Sequence, residues 1–111
     1  MRVLVFESNL MWSSRLLQSL GKLGHQAVLC GEVPASREGA SAAIVNLGDS
    51  KWDATSLVAE LKKLGLTVIA HAGHKERELQ ELGRDANVDI LATNSELTFK
   101  LPAILDRVEQ A

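Results

Sequence analysis

Between Ala42 and Ala70 the chain reads AAIVNLGDSKWDATSLVAELKKLGLTVIA, and the periodicity of its apolar residues changes twice along that stretch. AAIVN (Ala42–Asn46) and LTVIA (Leu66–Ala70) are short and almost unbroken in apolar character, as strands buried on both faces are. Between them Leu57, Val58, Leu61 and Leu64 fall on one face of a helix. Asp53 stands ahead of that helix as an N-cap and Gly65 behind it as a stop. A strand, a helix and a second strand in this order form a crossover unit of a parallel sheet.

Working outward, the same alternation recurs on both sides. RVLVF (Arg2–Phe6), QAVLC (Gln26–Cys30) and VDILA (Val88–Ala92) supply three more strands of ordinary length. The first helix carries Leu16, Leu17, Leu20 and Leu23 at helical spacing, with Ser8 or Asn9 as cap and Gly24 as stop. The segment from Gly31 to Ser41 holds Pro34 and Gly39 without an apolar stripe, so a second helix is expected to be short or irregular. Lys75 to Arg84 reads as a mostly charged fourth helix anchored by Leu79 and Leu82. The last helix contains Pro102, tolerated only in a first turn, and is expected to begin near Thr98 or Phe99 with Leu101, Ile104, Leu105 and Val108 facing the sheet. Right-handed crossovers with helices on both faces give the strand order 2-1-3-4-5.

With 46% hydrophobic and 23% charged residues in 111, the chain has the profile of one globular domain spanning 1–111. Only 4% is aromatic, so Leu, Val, Ile and Ala must build the core. The formal net charge of −2, without a Lys/Arg block, gives no footprint for direct nucleic-acid binding. No 18-residue apolar window and no basic leader precede the first strand, so no membrane association and a cytoplasmic location are expected. Cys30, without a second cysteine, is expected at a buried strand position.

The collinear order of these elements resembles the receiver domains of two-component response regulators, over nearly the whole chain. RVLVFESNLMWSSRLLQSLGKLGHQAV is similar to the first strand, acidic turn, first helix and second strand of a receiver; NLGDSKWDA falls where the phosphorylated aspartate leads into the third helix. AHAGHKERELQELGRDANVDILATNS spans the fourth-strand hydroxyl to the fifth-strand lysine. The resemblance implies a flavodoxin-like (βα)5 three-layer sandwich with a site at the carboxyl ends of the strands.

At the positions this resemblance marks, the chain departs from the family pattern. Glu7 and Ser8 stand for the acidic pair that holds magnesium, Asn46 for the phosphoacceptor aspartate, His71 for the switch hydroxyl, Thr93 for the lysine and Asn94 for the proline after it. A neutral amide cannot attack phosphorus to form an acyl phosphate, and one carboxylate among neutral neighbours anchors magnesium poorly. The resemblance therefore implies a degenerate pseudo-receiver with no catalytic residue, no metal and no cofactor. The loop at Asn94, freed of the proline, is expected to be more mobile.

Several side chains admit two readings. His71 is a space-filling histidine with one hydrogen bond, or a pH-sensitive ligand. Glu7, His71 and His74 could be offered to a metal, although their loop spacing and the lack of cysteine weigh against it. Asp53 is explained as a helix cap and Asp49 as a solvated side chain. Trp12 and Trp52, each in the first turn of a helix, are either core-end fillers or partner anchors, and Leu79 and Leu82 are further candidates for a partner surface.

Three functions follow in order. The first is a phosphorylation-independent signalling domain that binds a protein partner or forms a homodimer through the face made by the Lys75–Arg84 helix, the fifth strand and the last helix, as the resemblance implies. The second is a small-molecule or nucleotide binder using the crevice at the ends of strands one and three, although that crevice lacks a Gly-rich phosphate cradle. The third, acid/base catalysis by Glu7 and His71, has no nucleophile or oxyanion site to accompany it.

Overall fold

The computed structural model describes residues 1–110. Five parallel strands, β1 (Arg2–Phe6), β2 (Gln26–Leu29), β3 (Ala42–Asn46), β4 (Thr67–Ala72) and β5 (Ile90–Thr93), form one sheet in the order β2-β1-β3-β4-β5. This is the expected flavodoxin-like arrangement. The helices are α1 (Leu10–Lys22), α2 (Ala54–Lys63), α3 (Arg77–Asp85), α4 (Asn94–Phe99) and α5 (Leu101–Glu109).

Alternation along the strands divides the core into two layers. Val3 and Val5, Ala42 and Ile44, and Ile69 point toward α1, α4 and α5, where they meet Leu20, Leu97, Leu101, Ile104, Leu105 and Val108. Leu4 and Phe6, Ala43 and Val45, and Val68 point the other way, onto Leu57, Val58 and Leu61 of α2. A smaller cluster seats Leu79 and Leu82 of α3 against Leu47, Ala70 and Ala72. Burying a leucine of this kind contributes about 2 kcal/mol, so the two leucine faces fix the crossovers more firmly than local propensity does.

Three helices end in the same way. Gly24 (φ 85°) and Gly65 (φ 85°) follow α1 and α2, and Asn87 (φ 63°) follows α3. In each case the left-handed residue and its successor donate their N–H groups back to the last turn: Gly24 to Gly21 and His25 to Leu20, Gly65 to Lys62 and Leu66 to Leu61, Asn87 to Arg84 and Val88 to Gly83. Each helix thereby turns the chain back toward the start of the next strand.

Five details differ from the sequence reading. Residues 31–41 form turns and bends with no helix. β4 runs two residues further than expected, which carries His71 and Ala72 into the sheet, where Asn46 pairs with His71. β5 begins at Ile90 instead of Val88, because Asn87 and Val88 are used to close α3. Cys30 lies just past β2 and is half-buried, though its amide still bonds Val5. Partial burial raises its thiol above the ordinary range and keeps it protonated. Finally, the expected last helix is two: α4 starts at Asn94, and α5 carries Pro102 in its first turn, where no intrahelical N–H is lost. No helix is long and apolar enough to cross a membrane among the described residues.

Candidate functional site

Alternation also positions the polar residues. Glu7 follows Phe6 at the end of β1, and like Val3 and Val5 it falls on the α1/α5 side of the sheet; His71 does the same in β4 after Ile69. Asn46 ends β3 between them, since β3 lies between β1 and β4. Three strand ends thus bring Glu7, Asn46 and His71 to one place. Glu7 and His71 are each 5% exposed.

The polar groups here have defined partners, His71 Nε2 excepted. The Asn46 Nδ2 donates to Glu7 Oε1 at 2.9 Å, while its Oδ1 accepts from the Gly48 amide at 3.0 Å. Both ends of the carboxamide are therefore committed, and its orientation is fixed. The Asn9 amide donates to Glu7 Oε2 at 3.2 Å. His71 Nδ1 lies 2.7 Å from Asn94 Oδ1, an arrangement satisfied when Nδ1 carries the proton and Nε2 is a bare acceptor. Burial pushes the His71 pKa below its ordinary value, against the opposing influence of Asn94 and the Glu7 carboxylate.

Asp49 keeps contact with solvent, as expected, but is also held in place by hydrogen bonds. Its Oδ2 accepts from the Ser8 amide at 2.7 Å and its Oδ1 from the Ser8 hydroxyl at 2.8 Å and the Lys51 amide at 3.0 Å. Partial burial pushes its carboxyl up, but these donors outweigh it and the pKa falls below the usual range. Ser8 and Asp49 therefore tie the loop after β1 to the loop after β3, across the crevice where a ligand between those strands would enter. Glu7 is near enough to influence Asp49. Neither carboxylate has a Lys or Arg ion-pair partner among the described residues, whose ion pairs are Arg2 with Glu38 and Lys62 with Asp89.

Thr93 and Asn94 act differently from their sequence reading. The Thr93 hydroxyl accepts from the Glu96 amide at 3.0 Å and the Glu96 carboxylate accepts from the Thr93 amide at 2.9 Å, a reciprocal capping box at the start of α4. Thr93 is thus a helix cap, and Asn94 is the first residue of that helix, held by His71 instead of lying in a loose loop. The spacing Thr93-x-x-Glu96 carried this signal in the sequence. The link from Asn94 to His71, across the end of β4, did not have a local signature.

The partner candidates separate. Trp52 packs edge-on against Phe6 with centroids 5.7 Å apart and donates from Nε1 to the Gly31 carbonyl, so its ring closes the α2 side of the core. Leu79 and Leu82 are held in the α3 cluster. Trp12 is 43% exposed, with Leu10 and Met11 exposed beside it on α1, and Phe99 is exposed at the end of α4. His74 is exposed on the loop before α3, apart from Glu7 and His71. Among the described residues no three His, Cys, Asp or Glu side chains gather to hold a metal ion.

A groove of about 160 Å3 opens beside the buried pair, under α1, with Glu7 and His71 at its inner end and Trp12, Leu16, Leu97 and Leu101 among its walls.

No protein-family model matches the sequence, and no match is found among curated proteins. Solved structures do match, and they share the whole fold. A putative response regulator from Chloroflexus aurantiacus J-10-fl superposes with a TM-score of 0.82 at 11% identity, covering 99% of this chain and 98% of that one. The CheY-like protein tadZ from Pseudomonas aeruginosa PAO1 gives 0.76 at 18% identity, over 97% and 98%. The beryllofluoride-activated NtrC4 receiver domain dimer gives 0.74 at 14% identity, over 98% and 93%. The chain has the receiver-domain fold.

Proposed function

We propose that this chain is a receiver-type signalling domain that works through protein contacts and takes up no phosphoryl group. The hydrogen bond from Asn46 to Glu7 carries the reading. At the place where receivers present an aspartate, a carboxamide offers no nucleophilic oxygen, and its N–H2 points at the neighbouring carboxylate. That donor occupies the side of Glu7 facing position 46, where a magnesium ion shared with an aspartate there would sit. Asp49 is turned toward Ser8 and Lys51. The donor set does not fit magnesium, which favours carboxylate and water oxygens in octahedral array. Thr93, where the lysine would stand, is spent on capping α4.

The output surface in this reading is the face of α3, β5 and α5. β5 is an edge strand, and the helices beside it carry exposed groups of both signs: Arg77, Glu78, Glu81 and Arg84 on α3, Asp106 and Arg107 on α5. A mixed-sign surface suits pairing with a rotated copy of itself or with a complementary partner. The NtrC4 receiver domain, with which the fold is shared, is a dimer.

The test is intact-mass analysis after incubation with acetyl phosphate and magnesium. The expected spectrum is that of the untreated protein. A phosphoryl adduct, at Asp49 or elsewhere in the site, overturns the proposal.

A further inference from the structure

The groove under α1 is polarised. Its inner end presents the Glu7 carboxylate and His71, and its sides are Trp12, Leu16, Leu97 and Leu101. Arg15 and Lys22 also line it. Along α1, Arg15 lies about 5 Å and Lys22 about 15 Å beyond Trp12, so Arg15 is the cation within reach of a small ligand seated at Glu7.

The inner end is unusual in holding acceptors without free donors. Glu7 receives one hydrogen bond on each oxygen, which leaves each with unused acceptor capacity. With Nδ1 engaged by Asn94, His71 turns a bare Nε2 acceptor to its surroundings. A carboxylate that is 5% exposed, without an ion pair, and beside a second acceptor is an incomplete arrangement: burial of an anion is costly unless a cation answers it. A primary ammonium has three N–H donors and a positive charge, which matches both groups at once. The apolar walls set the body of the ligand. An engineered apolar cavity of about 150 Å3 takes one benzene, so a groove of about 160 Å3 holds a single ring.

We propose that this groove binds a small single-ring amine, its ammonium held by Glu7 and His71, its ring between Trp12 and Leu97, and an acidic far end turned to Arg15. The groove shares Glu7 with the crevice at the strand ends and Leu101 with α5, but it takes a different ligand, and its test reads amine binding alone.

The probe is 4-(2-aminoethyl)benzoic acid, with 4-(2-hydroxyethyl)benzoic acid as its uncharged-head match, titrated into isotopically labelled protein and followed by amide and indole NMR shifts. Saturable shifts are expected at the Trp12 indole and at Leu97 and Thr98, with the amine at least about tenfold tighter than the alcohol. Glu7→Gln should erase that preference, so that the two compounds bind alike. Because Glu7→Gln could perturb folding, Ser19→Trp, which fills the groove from its exposed side, provides a second arm: its spectrum should stay dispersed while binding is lost. The proposal is overturned if the amine gives no saturable shift by about 10 mM, if amine and alcohol bind the parent protein equally, or if Ser19→Trp leaves binding intact.

Discussion

The Nδ1 of His71 lies 2.7 Å from the Oδ1 of Asn94, joining the end of β4 to the first residue of α4. The histidine is buried, with Glu7 just after β1 and Asn94 from α4 facing it and Asn46 of β3 at its side. Burial lowers its pKa, so the folded chain binds this proton less readily than the unfolded chain. Stability from this group is therefore full above the ordinary histidine pKa of 6.5 and is lost as pH falls from there toward the lower folded value. Urea denaturation at pH 7.5 and pH 5 should show the parent losing more stability than His71→Gln. Equal losses would mean that His71 is charged in the folded protein.

Asp49 holds the loops after β1 and β3 together through the two donors of Ser8, and accepts a third hydrogen bond from the Lys51 amide of its own loop. Asp49→Ala removes the acceptor from all three. Since the site is partly exposed and water can replace part of what is lost, the expected cost is about 1–2 kcal/mol in urea denaturation, with Ser8→Ala costing less because the backbone donor remains. An unchanged midpoint for Asp49→Ala would show that solvent serves these donors equally well.

What could be read from the sequence follows how local each signal is. The apolar runs at 2–6 and 42–46, the Asp53 cap and the stops at Gly24 and Gly65 are all contained within a few residues, and they defined the sheet order and most of the helices. His71 interrupts an apolar run, so the sequence points to a shorter β4, although the strand continues through it. Pro102 marks the opening of a last helix, while the capping box at Thr93 and Glu96, equally local, starts a separate helix before it. The bonds that hold Asp49 are hidden for a different reason. Its partner Ser8 is 41 residues away, and no periodicity encodes such a bond. Thr93→Ala should reveal the cap directly, destabilising the protein by about 1 kcal/mol in thermal or urea unfolding.

Two helical glycines should respond in opposite directions to the same substitution. At Gly21 a new methyl group meets nothing within 4 Å, so Gly21→Ala gains helix propensity alone and should stabilise by about 0.5–1 kcal/mol. At Gly83, which is buried in α3, the methyl would lie 3.0 Å from Leu47 Cδ1 and 3.0 Å from Leu91 Cδ1. Overpacking costs roughly 1–3 kcal/mol against a propensity gain of about 1, so Gly83→Ala should be neutral to destabilising. Thermal midpoints of the two variants decide it; stabilisation by both would mean that the α3 interface yields without cost.

Asn46→Asp tests what the amide does at the site. The change removes the donor to Glu7 Oε1 and sets a second negative charge beside a carboxylate that is 5% exposed. It also leaves the Gly48 amide with its acceptor, so the loop geometry is retained and the loss falls on the carboxylate pair. The expected cost without divalent ions is about 2 kcal/mol or more. Like charges at this distance are relieved by a hard cation, which would find two facing carboxylates where the parent offers one carboxylate and an N–H2. Millimolar magnesium should therefore raise the melting temperature of Asn46→Asp and leave the parent unchanged. If magnesium raises both alike, the amide is not the group that excludes the cation, and the account of the site given by the Asn46–Glu7 bond fails.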